Sequence, residues 1–359
     1  MIELKMTSII LEKHRNFIFN NTSSKTMRIR KKIDLLVHSE TNSLHKGIFN
    51  KISEELESIV LGDVTTLQDY VTWFDGIVKK VDKDEAKEIR RKLSIFLDEY
   101  SYFSSKKTGW SAYEFVKEID VTICPYCNSQ YIFVYNSRNI IKDSIKIHGK
   151  TRAVLDHFFD KGKYPFLAIS IYNLVPCCKV CNSDFKGTKS VDLEEYYSPY
   201  EKGLSDLIKF ERTLKTKEEV LTAKEEASTT EEEEEETTEQ EDNIDHYASI
   251  IGLNSEFDLS VKTISKDPKV NQKLDGNLKL FHIKHMYNIY HKKYITEIVF
   301  KAYIYHKVYK DQLNKTYEKI FIDEQDLKKN LFEDSVTDRH KILGKLTRDV
   351  LEAEINKLL

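Results

Sequence analysis

The chain has 359 residues, 32% charged and 40% hydrophobic, a balance that can fill a packed core and excludes wholesale disorder. Its 11 glycines and 5 prolines are too few for an all-β sandwich, so a mostly helical chain of roughly two domains is expected. The formal net charge is -3, but 14 acids against 2 lysines lie at positions 217–245, and the remainder keeps 54 Lys and Arg against 45 Asp and Glu, a basic body of +9.

Residues 1–110 read as an N-terminal helical region. The segment 84–100 (DEAKEIRRKLSIFLDEY) places Ala86, Ile89, Leu93 and Leu97 at helical spacing, and residues 49–60 behave alike. Lys25, Arg28, Arg30, Lys31 and Lys32 form a basic cluster, read as a solvated helix face in preference to a phosphate contact. The apolar run Ser8-Ile9-Ile10-Leu11 is too short for a secretory core, and no run approaches the ~20 residues of a membrane span. A cytoplasmic, reduced protein is expected.

Ser111-Ala112-Tyr113-Glu114 has the form of a capping box and should open a helix ending near Ile119. Cys124-Pro125-Tyr126-Cys127 follows. Next comes the β-type run Tyr131-Ile132-Phe133-Val134-Tyr135, with residues 140–147 as its hairpin partner. Val154-Leu155-Asp156-His157 reads as a short strand, and a helix is expected from about Cys178. Residues 215–243 include six consecutive glutamates at 231–236 and no aromatic residue, the signature of an acidic disordered linker or loop. That tract either keeps the protein soluble or mimics DNA and screens the basic body.

Residues 246–359 read as a C-terminal helical region, with helices within 277–309 and at 343–358. His282, His285 and His291 have no supporting carboxylate pattern, and the tyrosines at 287, 290, 294, 303, 305 and 309 sit at helical spacing. The histidines read as core or surface residues in preference to a second metal site, and the tyrosines as packing residues in preference to base-stacking ones.

All five cysteines fall between Cys124 and Cys181, and in a reducing compartment such clustering favours a metal over disulfides. Cys124-x-x-Cys127 and Cys178-x-x-Cys181 each let two sulfurs reach one ion at about 2.3 Å, and four thiolates close a tetrahedral shell. The implied Zn2+ is therefore structural. The 50 residues between the pairs exceed the ~15–20 of a compact finger and leave room for an inserted motif. Cys177 reads as a small packing residue.

The stretch Leu155-Asp156-His157-Phe158-Phe159 … Asn173-Leu174-Val175-Pro176-Cys177-Cys178-Lys179-Val180-Cys181-Asn182-Ser183-Asp184-Phe185-Lys186-Gly187 resembles the HNH (ββα-metal) endonuclease family. Trp110-Ser111-Ala112-Tyr113, Lys163-Tyr164-Pro165-Phe166-Leu167-Ala168 and Tyr196-Tyr197-Ser198-Pro199-Tyr200 look like the HNH subunits of Septu-type and retron-associated bacterial anti-phage defence. The implied fold is α+β and mostly helical. A small zinc-stapled nuclease module at 111–200 would be embedded between helical regions.

The resemblance implies His157 as general base and Asp156 plus Asn182 as ligands of a catalytic Mg2+ or Mn2+. Asn173 would hold the loop that orients His157, and Lys186 and Lys189 would contact phosphate. The implied function is metal-dependent cleavage of DNA phosphodiester bonds, alongside a partner ATPase. A non-catalytic zinc-stabilised adaptor and an RNA-cleaving nuclease are the competing readings.

Overall fold

The computed structural model describes residues 2–20, 28–106, 108–141, 144–215, 248, 250–253, 257–304, 312, 315–316 and 340–358. The acidic stretch at 217–245 and Lys25 lie outside them, as do Tyr305 and Tyr309. The described residues are mostly helical and include three two-stranded antiparallel sheets. Two compact units result. The first comprises Met1–Ser205, Lys266–Phe281 and Arg339–Ile342, and the second Asp206–Ser265, His282–Asp338 and Leu343–Leu359. No helix among the described residues is long and apolar enough to cross a membrane.

The first unit opens with eight helices: α1 (Ser8–Phe19), α2 (Ile29–Ser39), α3 (Ser43–Glu54), α4 (Leu56–Leu61), α5 (Val64–Val78), α6 (Lys83–Lys92), α7 (Ile95–Ser105) and α8 (Ala112–Glu118). Thr7, Asn42, Asp63 and Asp82 cap four of them, each accepting a backbone N–H. The pattern at 84–100 continues through a break at Leu93 and Ser94, so it covers two helices, α6 and α7. Residues 49–60 likewise span α3 and α4, whose Phe49, Ile52, Leu56, Ile59 and Val60 have no exposed surface. Ser111 precedes α8 without a side-chain capping bond.

One reading of the basic cluster is corrected. Arg28 is packed, with its guanidinium 4.3 Å from the Phe17 ring centroid and 3.2 Å from Glu99. Its flat delocalised charge can stack on the Phe17 ring while facing the Glu99 carboxylate.

The run 131–135 is not a strand throughout. Cys124 N–H donates to Gln130 O at 2.9 Å and Ile132 N–H to Thr122 O at 2.8 Å, so residues 130–132 close the cysteine knuckle. Strand β1 (Tyr135–Ile141) begins at its last residue and pairs with β2 (Ser144–Thr151), later in the chain than expected. Strands β3 (Val154–His157) and β4 (Leu174–Cys177) then pair antiparallel, with Asp156 opposite Val175 and His157 opposite Leu174. Helix α9 (Pro268–Leu280) completes this unit. An added Cβ at Gly276 would stand 2.4 Å from Glu195 O, so only glycine permits that approach. Phe281 stacks on Tyr126 with ring centroids 4.2 Å apart.

The second unit pairs β5 (Ile208–Leu214) with β6 (Phe257–Thr263), alongside α10 (Ile283–Tyr290), α11 (Lys292–Ile304) and α12 (Gly344–Leu358). Arg212 and Glu354 form a buried ion pair at 3.0 Å. Tyr287 packs against Phe210 at 5.2 Å, as its helical spacing suggested, whereas Tyr290 is exposed.

Candidate metal centre and the adjoining histidine

Cys124 and Cys127 sit on the knuckle after α8. Cys178 and Cys181 follow β4, the latter inside a π-helical turn, Val180–Lys186. All four are buried, and their Sγ atoms lie within 4.8 Å of one another. Cys127 Sγ and Cys178 Sγ are 4.0 Å apart. Ligands at about 2.3 Å around a tetrahedral ion stand about 3.8 Å from each other, so the donor set fits zinc. Burial pushes the Cys124 thiol well up, and a bound dication is what would deprotonate it. This is the one metal-ligating group of three or more His, Cys, Asp or Glu among the described residues. Cys177 lies outside it, buried at the end of β4.

Strand β3 ends on Asp156 and His157, which alternation sends to opposite faces of the hairpin. The Asp156 side chain is buried. Tyr126 donates its hydroxyl to Oδ2 at 2.7 Å, and Lys186 Nζ donates to Oδ1 at 2.9 Å and to His157 O at 2.6 Å. Lys186, expected on the nucleic-acid surface, is only 3% exposed. The cause is the widened turn. Gly187 N–H reaches back five residues to Asn182 O, and Gly187 takes a φ of 52°, which reverses the chain after Lys186. Lys189 is exposed beyond that reversal. Asn182 is half-buried on the turn and donates to Ser183 Oγ at 3.2 Å.

The pairing of Lys186 bears on the divalent ion that the family resemblance places at Asp156 and Asn182. Both Asp156 oxygens already accept hydrogen bonds, one of them from an ammonium whose charge repels a second cation. As arranged, this pair does not fit a divalent seat.

His157 Nε2 lies 3.0 Å from Ala168 O. A carbonyl only accepts, so Nε2 carries the proton and Nδ1 is the basic nitrogen. The ring packs nearly perpendicular to Tyr100, with ring centroids 4.4 Å apart. Burial lowers its pKa to about 3, helped by the Lys161 and Lys186 ammonium groups and opposed by the Ala168 bond. The imidazole is thus neutral at neutral pH, and a bound phosphate anion would raise its basicity.

The carbonyl that holds His157 is itself held. Asn173, fully buried, accepts from Phe159 N–H at 2.7 Å and donates to Phe159 O at 3.1 Å and Leu167 O at 3.0 Å. His14, on α1, lies with Nε2 2.9 Å from Ile169 O, and Ser170 Oγ donates to Ile59 O of α4 at 2.6 Å. Leu167, Ala168 and Ile169 therefore bond in succession to Asn173, His157 and His14. Trp110 donates to His14 Nδ1 at 3.1 Å, which leaves the proton on Nε2. Sequence reasoning missed His14, Trp110, Tyr126 and Tyr100. Tyr126, lodged between two cysteines, and Trp110, in a segment that carries the family resemblance, had a local signal; His14 and Tyr100 had none.

His14 makes the unit acid-sensitive. Burial depresses its pKa from 6.5 to about 4, so the fold favours the neutral ring. Its contribution is complete above pH 6.5 and is lost as pH falls from there toward 4, by about 3 kcal/mol. Urea melts across that range should show the loss in wild type and a shallower one in His14→Gln, whose amide keeps a donor for Ile169 O. Parallel pH curves would remove His14 from this role.

Compared with protein-family models, curated proteins and solved structures, the chain matches none.

Proposed function

We propose that the chain is a nuclease that hydrolyses nucleic-acid phosphodiester bonds, with DNA the favoured substrate and His157 the general base. The observation that carries this reading is the tautomer of His157: Nε2 is committed to Ala168 O at 3.0 Å, which leaves Nδ1 as the nitrogen that can accept a proton. The family resemblance of Asp156, His157, Asn173 and Asn182 supports it. The competing adaptor reading draws on the burial of His157, which is 6% exposed.

In this mechanism Nδ1 takes the proton of the attacking water as its oxygen adds to phosphorus. The P–O3′ bond breaks as the water oxygen bonds to phosphorus, the 3′ oxygen takes a proton from solvent, and the imidazolium returns its own proton to solvent, so products carry 5′ phosphates and 3′ hydroxyls. Asn173 keeps the loop that aims the ring. Lys186 neutralises Asp156 and donates to His157 O, which fixes the backbone that carries the ring. Zinc on Cys124, Cys127, Cys178 and Cys181 would hold the two ends of the catalytic segment together and take no part in bond breaking. Magnesium or manganese at Asp156 and Asn182 would require Lys186 to release Asp156. A partner ATPase in anti-phage defence completes the proposal, on resemblance alone.

Supercoiled plasmid incubated with the full chain and magnesium or manganese should be nicked, and a DNA ligase should reseal the nicks. Nicks that ligase cannot seal would contradict the assigned bond cleavage. Cleavage confined to RNA would replace the substrate.

A further inference from the structure

Tyr131, Phe133 and Tyr135 are 61%, 60% and 54% exposed, while Ile132 between the first two is 3% exposed. The knuckle explains the alternation. Ile132 N–H is bonded to Thr122 O and its side chain enters the core, so the neighbours at even spacing face outward. Three large rings exposed within five residues make a patch of the kind that marks binding surfaces.

The chain that continues from this row is basic. Residues 135–152 contain Arg138, Lys142, Lys146, Lys150 and Arg152 against a single acid, Asp143. In the β1–β2 register, Lys150 lies opposite Asn136 and Lys146 opposite Asn139. Strand β2 ends at Thr151, three residues before Val154 opens the strand that carries His157.

We propose that Tyr131, Phe133 and Tyr135 form a stacking platform for unpaired nucleic-acid bases, and that the positive charge of the sequence following it favours the same anionic strand. The proposal deepens the nuclease reading and rests on it, because it names where the substrate lies. Every base offers a π face, so stacking is sequence-tolerant, and the net positive charge of residues 135–152 favours an anionic polymer over an apolar protein. Residues two apart on an extended chain stand about 6.6 Å from each other. That is about two 3.4 Å steps of a nucleic-acid strand.

The test is fluorescence anisotropy with short labelled oligonucleotides (single-stranded DNA, single-stranded RNA and duplex DNA) and the full chain, in EDTA to prevent cleavage. Wild type should bind single strands more tightly than duplex. The triple variant Tyr131→Ala, Phe133→Ala, Tyr135→Ala should bind single-stranded DNA at least about tenfold more weakly with an unchanged salt slope. Lys146→Gln with Lys150→Gln should instead make the salt slope shallower by about 0.7 per charge removed. Matching losses with RNA support the platform for both polymers. Equal affinity of the triple variant and wild type would overturn it, as would preference for duplex or no binding at all. Plasmid nicking separates the two proposals: nicking that depends on His157 but survives the triple variant at full rate sinks the platform and spares the nuclease reading. Circular dichroism of the exposed-site variants should match wild type.

Discussion

Removing a metal held by Cys124, Cys127, Cys178 and Cys181, which are placed to bind one, is expected to unfold the region from Cys124 to Cys181. Structural zinc contributes about 10–16 kcal/mol in zinc-finger peptides, comparable to or larger than the 5–15 kcal/mol of a typical domain. Here the ion would join a knuckle at Cys124 and Cys127 to the residues that follow β4, across the β3–β4 hairpin. Elemental analysis should find one zinc per chain. Chelation, or Cys127→Ser, should lower the melting temperature of the first unit by more than about 10 °C. Cys177→Ser should leave the zinc content unchanged, since Cys177 lies outside the group. Full thermal stability in metal-free protein would refute the thiolate site.

Breaking the Lys186–Asp156 pair should have the next largest effect. Both side chains are almost wholly inaccessible, at 3% and 4%. Their net worth is modest, because each lost its hydration on burial, but removing one leaves the other as an uncompensated buried charge. Lys186→Met should therefore destabilise the protein by about 3–5 kcal/mol in urea titration. Adding Asp156→Asn should restore most of that loss, because the neutral amide needs no counter-charge and still accepts the Tyr126 hydroxyl. Equal losses in the single and double variants would show that Lys186 acts through packing and not through charge. The pair also explains why Asp156 is not a ready cation seat.

Local pattern carried much of this organisation. The two CxxC spacings pointed to the four-sulfur group, and alternation at 154–157 located β3. Burial periodicity found the helices but not the break at Leu93 and Ser94, because Ala86, Ile89, Leu93 and Phe96 keep one buried face through it. The run 131–135 misled for a related reason: the knuckle's backbone bonds impose the same two-residue alternation as a strand.

Two features were not legible. The inward course of Lys186 depends on a π-helical turn and a left-handed Gly187, neither of which has a distinctive local composition. The bonds from His14 to Ile169 O and from Ser170 to Ile59 O join positions 155 and 111 residues apart, and no window on the sequence spans such distances. Those bonds give the N-terminal helices a role that charge and periodicity did not suggest, since α1 and α4 anchor the loop that orients His157.

The most direct test of the nuclease reading is the rate at which the full chain nicks supercoiled plasmid, wild type against His157→Ala, with folding of both checked by circular dichroism. A positioned general base contributes about 10²–10⁴-fold, so the variant should nick at least a hundredfold more slowly, by about 10² or more. Equal rates would contradict the assignment of His157, and with it the proposed mechanism.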